Sequence, residues 1–481
     1  MSIFKVWISL QVLTCVFASH FQVSAGKAPH LLFILVDDMG YGDLQCYNRD
    51  SKIPTPNMNR LAEQGMRFTD AHAAGPLCHV SRYGLMTGQY PFRGQPHTWR
   101  RQATIDPEHL TLPSFLKSHG YQTAMVGKWH LGFDEDGYEH PLPGGPVDRG
   151  FESFFGIRAS TDIPPYFYIR GNQAVMPPTL EIEANNSDGW SPIQGAFWRK
   201  GGISPDLQLK DVLPRFTEEA IKVIVEHAPK KDEKPLFLYL AYPAPHTPWL
   251  PSPEFHGKSG AGMYGDFTMM VDAMIGRVMK ALDGAGMADD TMVILSSDNG
   301  PVWYEKDVER FDHDASGGLR GMKADAWEAG HRMPFIVRWP GRVRPGAQSQ
   351  QMISFTDVLP TAASVIGKEI SSSVPLDGVS FFKVLTGQQP EAISVRSSLV
   401  VPSGNGTMTV RQGPWKLIQG LGSGGFSKPV RVKPSAGDPA GQLYHLENDL
   451  SETQNLYHQR PDIVSSLEEQ LEAVLAGHGS S

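Results

Sequence analysis

Four stretches of the chain share one pattern, a short apolar run rich in β-branched or aromatic residues that breaks abruptly into a polar cluster. They are HLLFILVDDMGYGD from His30, YQTAMVGKWHLG from Tyr121, PLFLYLAYPAPHTP from Pro235 and TMVILSSDNGP from Thr291. The runs do not alternate between apolar and polar residues, which predicts strands covered on both faces, as in a parallel sheet. Helical periodicity fills the intervals. LPRFTEEAIKVIVEHA places Phe216, Ala220, Ile221, Ile224 and Val225 on one predicted face, and YGDFTMMVDAMIGRVMKAL does so with Phe267, Val271, Met274, Val278 and Leu282. Met269, Met270 and Met274 read as core filler, not as a metal box.

Beyond LDGVSFFKVLTG the pattern changes to short strand-like runs (SSLVVPS, GTMTVRQGPWKLIQG), a Gly/Ser/Pro-rich loop from Gly420 to Gly441, and an amphipathic segment, PDIVSSLEEQLEAVL. The expected fold class is α/β. A large central, mostly parallel sheet flanked by helices is expected over residues 26–388, and a smaller C-terminal antiparallel sheet plus helix over 389–481. At the N-terminus, FKVWISLQVLTCVFASHFQVSAG has one lysine before a moderately apolar run that ends in small residues. It reads as a signal peptide over residues 1–25, with an uncleaved anchor as the alternative. The expected product is secreted or periplasmic, with no membrane attachment after cleavage.

Lys and Arg number 43 against 51 Asp and Glu, a formal net charge of −8. No global cationic field draws such a chain to nucleic acid, so an anionic ligand must be held by local cations. Of three cysteines, Cys15 leaves with the signal, and the remaining Cys46 and Cys78 exclude a disulfide framework. Three readings of Cys78 stay open: half of a Cys46–Cys78 bridge, an inert buried thiol, or the precursor of a catalytic group. Cys46 reads as structural.

In parallel sheets ligands gather beyond the carboxyl ends of the strands. The polar groups that follow the four runs are Asp37 and Asp38, Lys128 and His130, His246, and Asp298 with Asn299. Each alone would fit a turn or a cap. Together they deliver three carboxylates and an amide oxygen to one rim, a hard ligand set that favours Ca²⁺ or Mg²⁺ over zinc. Arg82, Lys128 and Lys323 add positive charge for a tetrahedral anion, and His130 and His246 offer proton transfer. This combination suits sulfuryl or phosphoryl transfer.

These residues carry a family resemblance. CHVSRYGLMTG resembles the sulfatase signature C-x-P-S-R-x-x-x-[LM]-T-G. The Asp37-Asp38 pair, GKWHLG, the His246-Thr247-Pro248 turn, SSDNG and the LRGMK-to-WPG segment follow in the order found in type I, formylglycine-dependent, arylsulfatase-like members of the alkaline phosphatase superfamily. The likeness runs from about His30 to Gly387 and extends into QLYHLENDLSETQNLY.

The resemblance implies that a formylglycine-generating enzyme oxidises Cys78 to Cα-formylglycine. Asp37, Asp38, Asp298 and Asn299 would hold a divalent cation, usually calcium, with the converted side chain of residue 78 as a further ligand. By position Asp298 would help activate the attacking hydroxyl, with Arg82 and Lys128 steadying it. His246 and Lys323, together with Lys128, would bind the sulfate and assist departure of the alcohol, and His130 would take the proton of the second hydroxyl. The expected substrate is a sulfated small molecule or glycan, an aryl or carbohydrate sulfate. One departure stands out: Val80 occupies the position where the family motif has proline, or alanine in some members. Trp99 and Arg100, in GQYPFRGQPHTWRR, are expected at the substrate mouth. The rival readings are a phosphodiesterase or phosphonate monoester hydrolase using the same site, and an unmatured sulfoglycan-binding pseudoenzyme.

Overall fold

The computed structural model describes residues 27–477, so the expected signal peptide lies outside the described residues. The four apolar runs form adjacent strands at the centre of a ten-stranded sheet, in the spatial order Thr291–Ser297, His30–Asp37, Leu236–Pro245, Gln122–Lys128. All three pairings among them are parallel. Ser153–Ile157 extends the parallel set on one side, and Phe335–Arg338 pairs antiparallel on the other.

Continuous apolar runs are what a sheet buried on both faces requires. Along the strand His30–Asp37 every residue is buried. Leu31, Phe33 and Leu35 enter one core with Phe115, Leu116 and Leu359, while Leu32, Ile34 and Val36 enter the other with Phe216, Ala220 and Ile224. The long helices Val212–His227 and Gly262–Gly284 pack on this second face. All five positions expected on the inner face of the latter helix are buried.

The former helix requires a correction. Phe216, Ala220 and Ile224 are buried, but Ile221 is only half-buried and Val225 is 57% exposed. At 3.6 residues per turn, nine positions rotate a side chain by about 180°, so Val225 points away from the sheet when Phe216 points into it.

The C-terminal part forms a four-stranded antiparallel sheet in the order Ser398–Pro402, Met408–Gln412, Trp415–Ile418, Gln442–His445. The helix Pro461–Leu475 buries Val464, Leu467, Leu471 and Val474 against it. Tyr90 and Met352 from the large part join the same core, so the two parts share a hydrophobic seam.

Candidate active site

The central strands end on one rim, and each delivers its polar cluster there. Strand His30–Asp37 slips register between Leu35 and Asp37, a bulge that turns Asp37 and Asp38 out of the sheet. Asp38 is left-handed, with φ of 63°. Its N–H donates to Asp298 Oδ1 at 3.3 Å, and the Met39 N–H donates to Ser297 Oγ at 2.9 Å, which locks two adjacent strand ends together. Behind them Asp43 accepts from the Gly40 N–H, the Tyr264 hydroxyl and His313, and so fixes the loop from below.

Cys78 is the first residue of the helix Cys78–Thr87, where unpaired backbone N–H groups favour negative charge. Both described cysteines are free thiols, so the bridge to Cys46 is not formed. Cys78 Sγ lies 3.3 Å from Asp37 Oδ1 and 3.3 Å from Lys323 Nζ. One helical turn on, Arg82 donates to Asp298 Oδ2 from Nε and Nη2 at 3.1 and 2.8 Å, and from Nη1 to the Lys128 carbonyl at 2.8 Å. Lys128 Nζ donates to Asp37 Oδ2, and Lys323 Nζ donates to Asp38 Oδ1 at 2.6 Å.

Three carboxylates thus face three cations in a buried chamber, and the field between them sets the protonation states. Burial works to raise the Asp37 pKa, but Lys128, His246, Arg82 and Lys323 override it and hold the carboxyl below the ordinary range. Burial, with Asp298 and Asp37 adding to it, pushes the Cys78 thiol well up. Unmodified, it is a protonated thiol and a poor nucleophile.

The donor set suits a hard cation. Asn299 Nδ2 donates to Asp38 Oδ1 at 2.6 Å, while Asn299 Oδ1 is buried without a hydrogen-bond partner. An orphaned amide oxygen beside three carboxylates is the arrangement an oxygen-seeking divalent ion satisfies. Asp37, Asp38, Cys78 and His246 offer ligand atoms all within 4.8 Å of one another. Asp298 is instead engaged by Arg82 and the Asp38 N–H, so its share in holding an ion depends on loosening those bonds.

His246 Nδ1 donates to the Thr247 carbonyl at 2.7 Å, which leaves Nε2 facing the site, 3.6 Å from Asp38 Oδ2. His130 is buried with neither ring nitrogen bonded. Burial and the neighbouring Lys128 hold its pKa well below 6.5. Its ring packs against two others: Trp99 lies edge-on at 4.2 Å between centroids, and His79 lies at 5.5 Å. Trp99 is 5% exposed and sits behind His130, whereas Arg100 is exposed and lies over the outer face of the indole at 4.9 Å.

Sequence reasoning missed three participants. His79 stands beside Cys78 in the quoted signature, and burial followed by Lys128 depresses its pKa to about 3. Asp162 lies 3.8 Å from His246 Nδ1 with a buried, unpartnered Oδ1, and no pattern in its polar surroundings marks it. Asp43 lay within a quoted run and could have been found as the third acidic residue of DDMGYGD. A second cluster, His72, Glu328 and His331, also has metal-like spacing. There Lys416 Nζ sits 2.9 Å from Glu328 Oε1 and 2.9 Å from Glu452 Oε1, so an ammonium already stands between the two carboxyl groups.

A buried, oxygen-rich chamber at the head of a parallel sheet, with a cysteine at a helix start and three cations, defines a hydrolase of tetrahedral oxyanion esters. Comparison with known proteins makes the class specific. The Sulfatase family model matches residues 29–368. The chain is 33% identical over 488 residues to an N-acetylgalactosamine-6-O-sulfatase of Bacteroides thetaiotaomicron, covering 93% of each. It is 31% identical to human arylsulfatase A over 90% of this chain and 84% of that one. A solved Bacteroides thetaiotaomicron structure, from work on the metabolism of multiple glycosaminoglycans, superposes with a TM-score of 0.82 at 32% identity over 93% of this chain and 99% of that one. The chain belongs to the sulfatase family. It is a sulfuric ester hydrolase, and the phosphate-ester and pseudoenzyme readings are not favoured. Among the described residues no helix is long and apolar enough to cross a membrane.

Proposed function

We propose that the protein hydrolyses a carbohydrate sulfate ester, with the 6-O-sulfate of N-acetylgalactosamine as the first candidate, using formylglycine made from Cys78. The observation that carries this reading is the position of Cys78 Sγ, 3.3 Å from both a carboxylate and an ammonium at the head of the sheet. Calcium, or alternatively magnesium, would be held by Asp37, Asp38, Asp298 and Asn299 Oδ1, with the converted side chain of residue 78 completing the set. When bound, the cation would supply positive charge, and the hydrated aldehyde would supply a nucleophilic oxygen and a second hydroxyl.

The chain's own groups do the rest. Three formal positive charges already balance three carboxylates, so a bound divalent ion leaves the chamber cationic and receptive to an anionic ester. Asp298 accepts the proton of the attacking hydroxyl, and Arg82 and Lys128 hold positive charge beside it. Lys323 Nζ would bind the sulfate oxygens, and His246, carrying a proton on Nε2 as well as on Nδ1, would give the Nε2 proton to the departing alcohol. His130, whose ring nitrogens are both unbonded, would serve as the base for the second hydroxyl. Trp99 holds His130 from behind, and Arg100 presents its guanidinium at the mouth to the substrate.

Maturation requires a formylglycine-generating enzyme acting on the segment around Val80. The N-terminal pattern supports export, secreted or periplasmic, and the change of pattern near 388 supports a separate C-terminal subdomain over 389–481. The test of substrate class is a panel of defined sulfated glycans, an aryl sulfate and a phosphate monoester, assayed on one matured preparation with added calcium. The expected ranking places a 6-O-sulfated N-acetylgalactosamine glycan first. Preference for the phosphate ester would overturn the assignment.

A further inference from the structure

Lys323 lies in a short irregular strap, and the way that strap is held points to a role for the C-terminal loops. Ala324, the next residue, is left-handed with φ of 73°, a conformation that residues with a Cβ rarely adopt. Such a residue persists only where its surroundings over-determine it. On its inner side the strap is tied to both halves of the site. The Lys323 N–H donates to the Pro301 carbonyl at 2.9 Å, two residues past Asn299, and the Ala324 N–H donates to the Pro76 carbonyl at 2.8 Å, two residues before Cys78. On its outer side three bonds tie it to the C-terminal part. The Gly404 N–H donates to the Ala324 carbonyl at 2.7 Å, the Ala326 N–H donates to the Ser423 carbonyl at 2.7 Å, and the Ser427 N–H donates to Asp325 Oδ1 at 3.1 Å.

The two loops approach too closely for ordinary side chains. A Cβ on Gly425 would lie 2.2 Å from the Ala324 carbonyl carbon, and one on Gly404 would lie 2.9 Å from the Ala324 Cβ. Neither glycine has a positive φ, so close approach, not backbone conformation, is what demands glycine at both places.

We propose that Gly404 and Gly425 are positioning residues for Lys323. The C-terminal loops press Ala324 into its left-handed turn and thereby aim the Lys323 ammonium between Asp38 and Cys78. The proposal rests on the reading that Lys323 binds the sulfate. It makes the C-terminal part a working wall of the catalytic chamber, and it assigns a task to the Gly/Ser/Pro-rich segment that composition alone describes only as a loop.

The experiment uses the full matured chain and reads KM for a sulfate ester and the inhibition constant of inorganic sulfate. Gly404→Ala and Gly425→Ala are each expected to raise both at least tenfold, with the aldehyde content of residue 78 unchanged. A loss of folded protein alone would lower kcat in proportion and leave both constants untouched. Gly404→Ala is the milder change, and Ala324→Gly deletes the atom it meets, so the double variant is expected to recover most of the lost affinity. If Gly425→Ala fails to fold, the Gly404 pair decides alone. Wild-type constants in folded Gly404→Ala, or no recovery in the double variant, would overturn the proposal. Lys323→Met separates the underlying reading: unchanged sulfate inhibition there refutes sulfate binding by Lys323, whereas raised inhibition constants there beside unaffected glycine variants refute only the positioning role.

Discussion

His130 shows how much of this site depends on one side chain and what surrounds it. It is buried, both its ring nitrogens lack hydrogen bonds, and its ring packs against Trp99 and His79. A base held this way is free to take a proton from whatever enters the chamber, and burial, with Lys128 beside it, keeps it neutral. His130→Ala should lower kcat by about 10²–10⁴-fold, the usual worth of a positioned general base. Since its pKa lies well below 6.5, protonation of His130 should curtail wild-type activity only well below that pH. A kcat–pH profile of wild type and variant checks both points. His130 and Asp37 were legible because each lies in the polar cluster that follows an apolar run. Asp162 was not, because only folding brings it to within 3.8 Å of His246.

At the scale of elements, the apolar runs translated directly into strands because both faces of the sheet are covered. The helix Val212–His227 is the instructive failure. Its apolar residues occupy more of the circumference than the sheet can bury, so periodicity found the helix but overestimated the width of its inner face. Phe216→Ala should cost about 3–5 kcal/mol of stability. Val225→Ala should stay within about 0.5 kcal/mol. Denaturant unfolding of the two variants distinguishes these outcomes, and comparable losses would contradict the assignment of faces. The strap around Lys323 and the loops that hold it have no period to read. The lysine was legible from its motif, while its support was not.

Across the whole molecule, a buried ionic network joins the large part to the C-terminal sheet. Arg411 and Lys416 reach from that sheet to Asp70 and Glu328, and the Glu328 N–H donates to Glu452 Oε2 at 2.7 Å. Burial first, offset in part by Lys416 and reinforced by Glu328, raises the Glu452 pKa from 4.5 to about 7. A carboxyl whose pKa rises on folding contributes stability while it is protonated, and that contribution is lost as pH climbs from the unfolded value through the folded one. At about 1.4 kcal/mol per pKa unit, the loss is about 3 kcal/mol between pH 4.5 and 7. Buried histidines such as His72 and His331, with lowered pKa values, pull the opposite way in part of this range. The informative quantity is therefore wild-type stability minus that of Glu452→Gln. It should fall by about 3 kcal/mol from pH 4 to pH 8. A flat difference would show that Glu452 titrates as an ordinary carboxylate.

The central claim is that distant segments assemble a sulfatase around residue 78, one that works only after the cysteine is converted. The most direct measurement compares preparations with different degrees of conversion, pairing the aldehyde fraction in the Cys78 peptide, by mass spectrometry, with the rate of sulfate release. Sulfate release should rise in proportion to that fraction and vanish with the unmodified thiol. Turnover that ignores the aldehyde fraction, or fully converted protein inert toward every sulfate ester, would contradict the account.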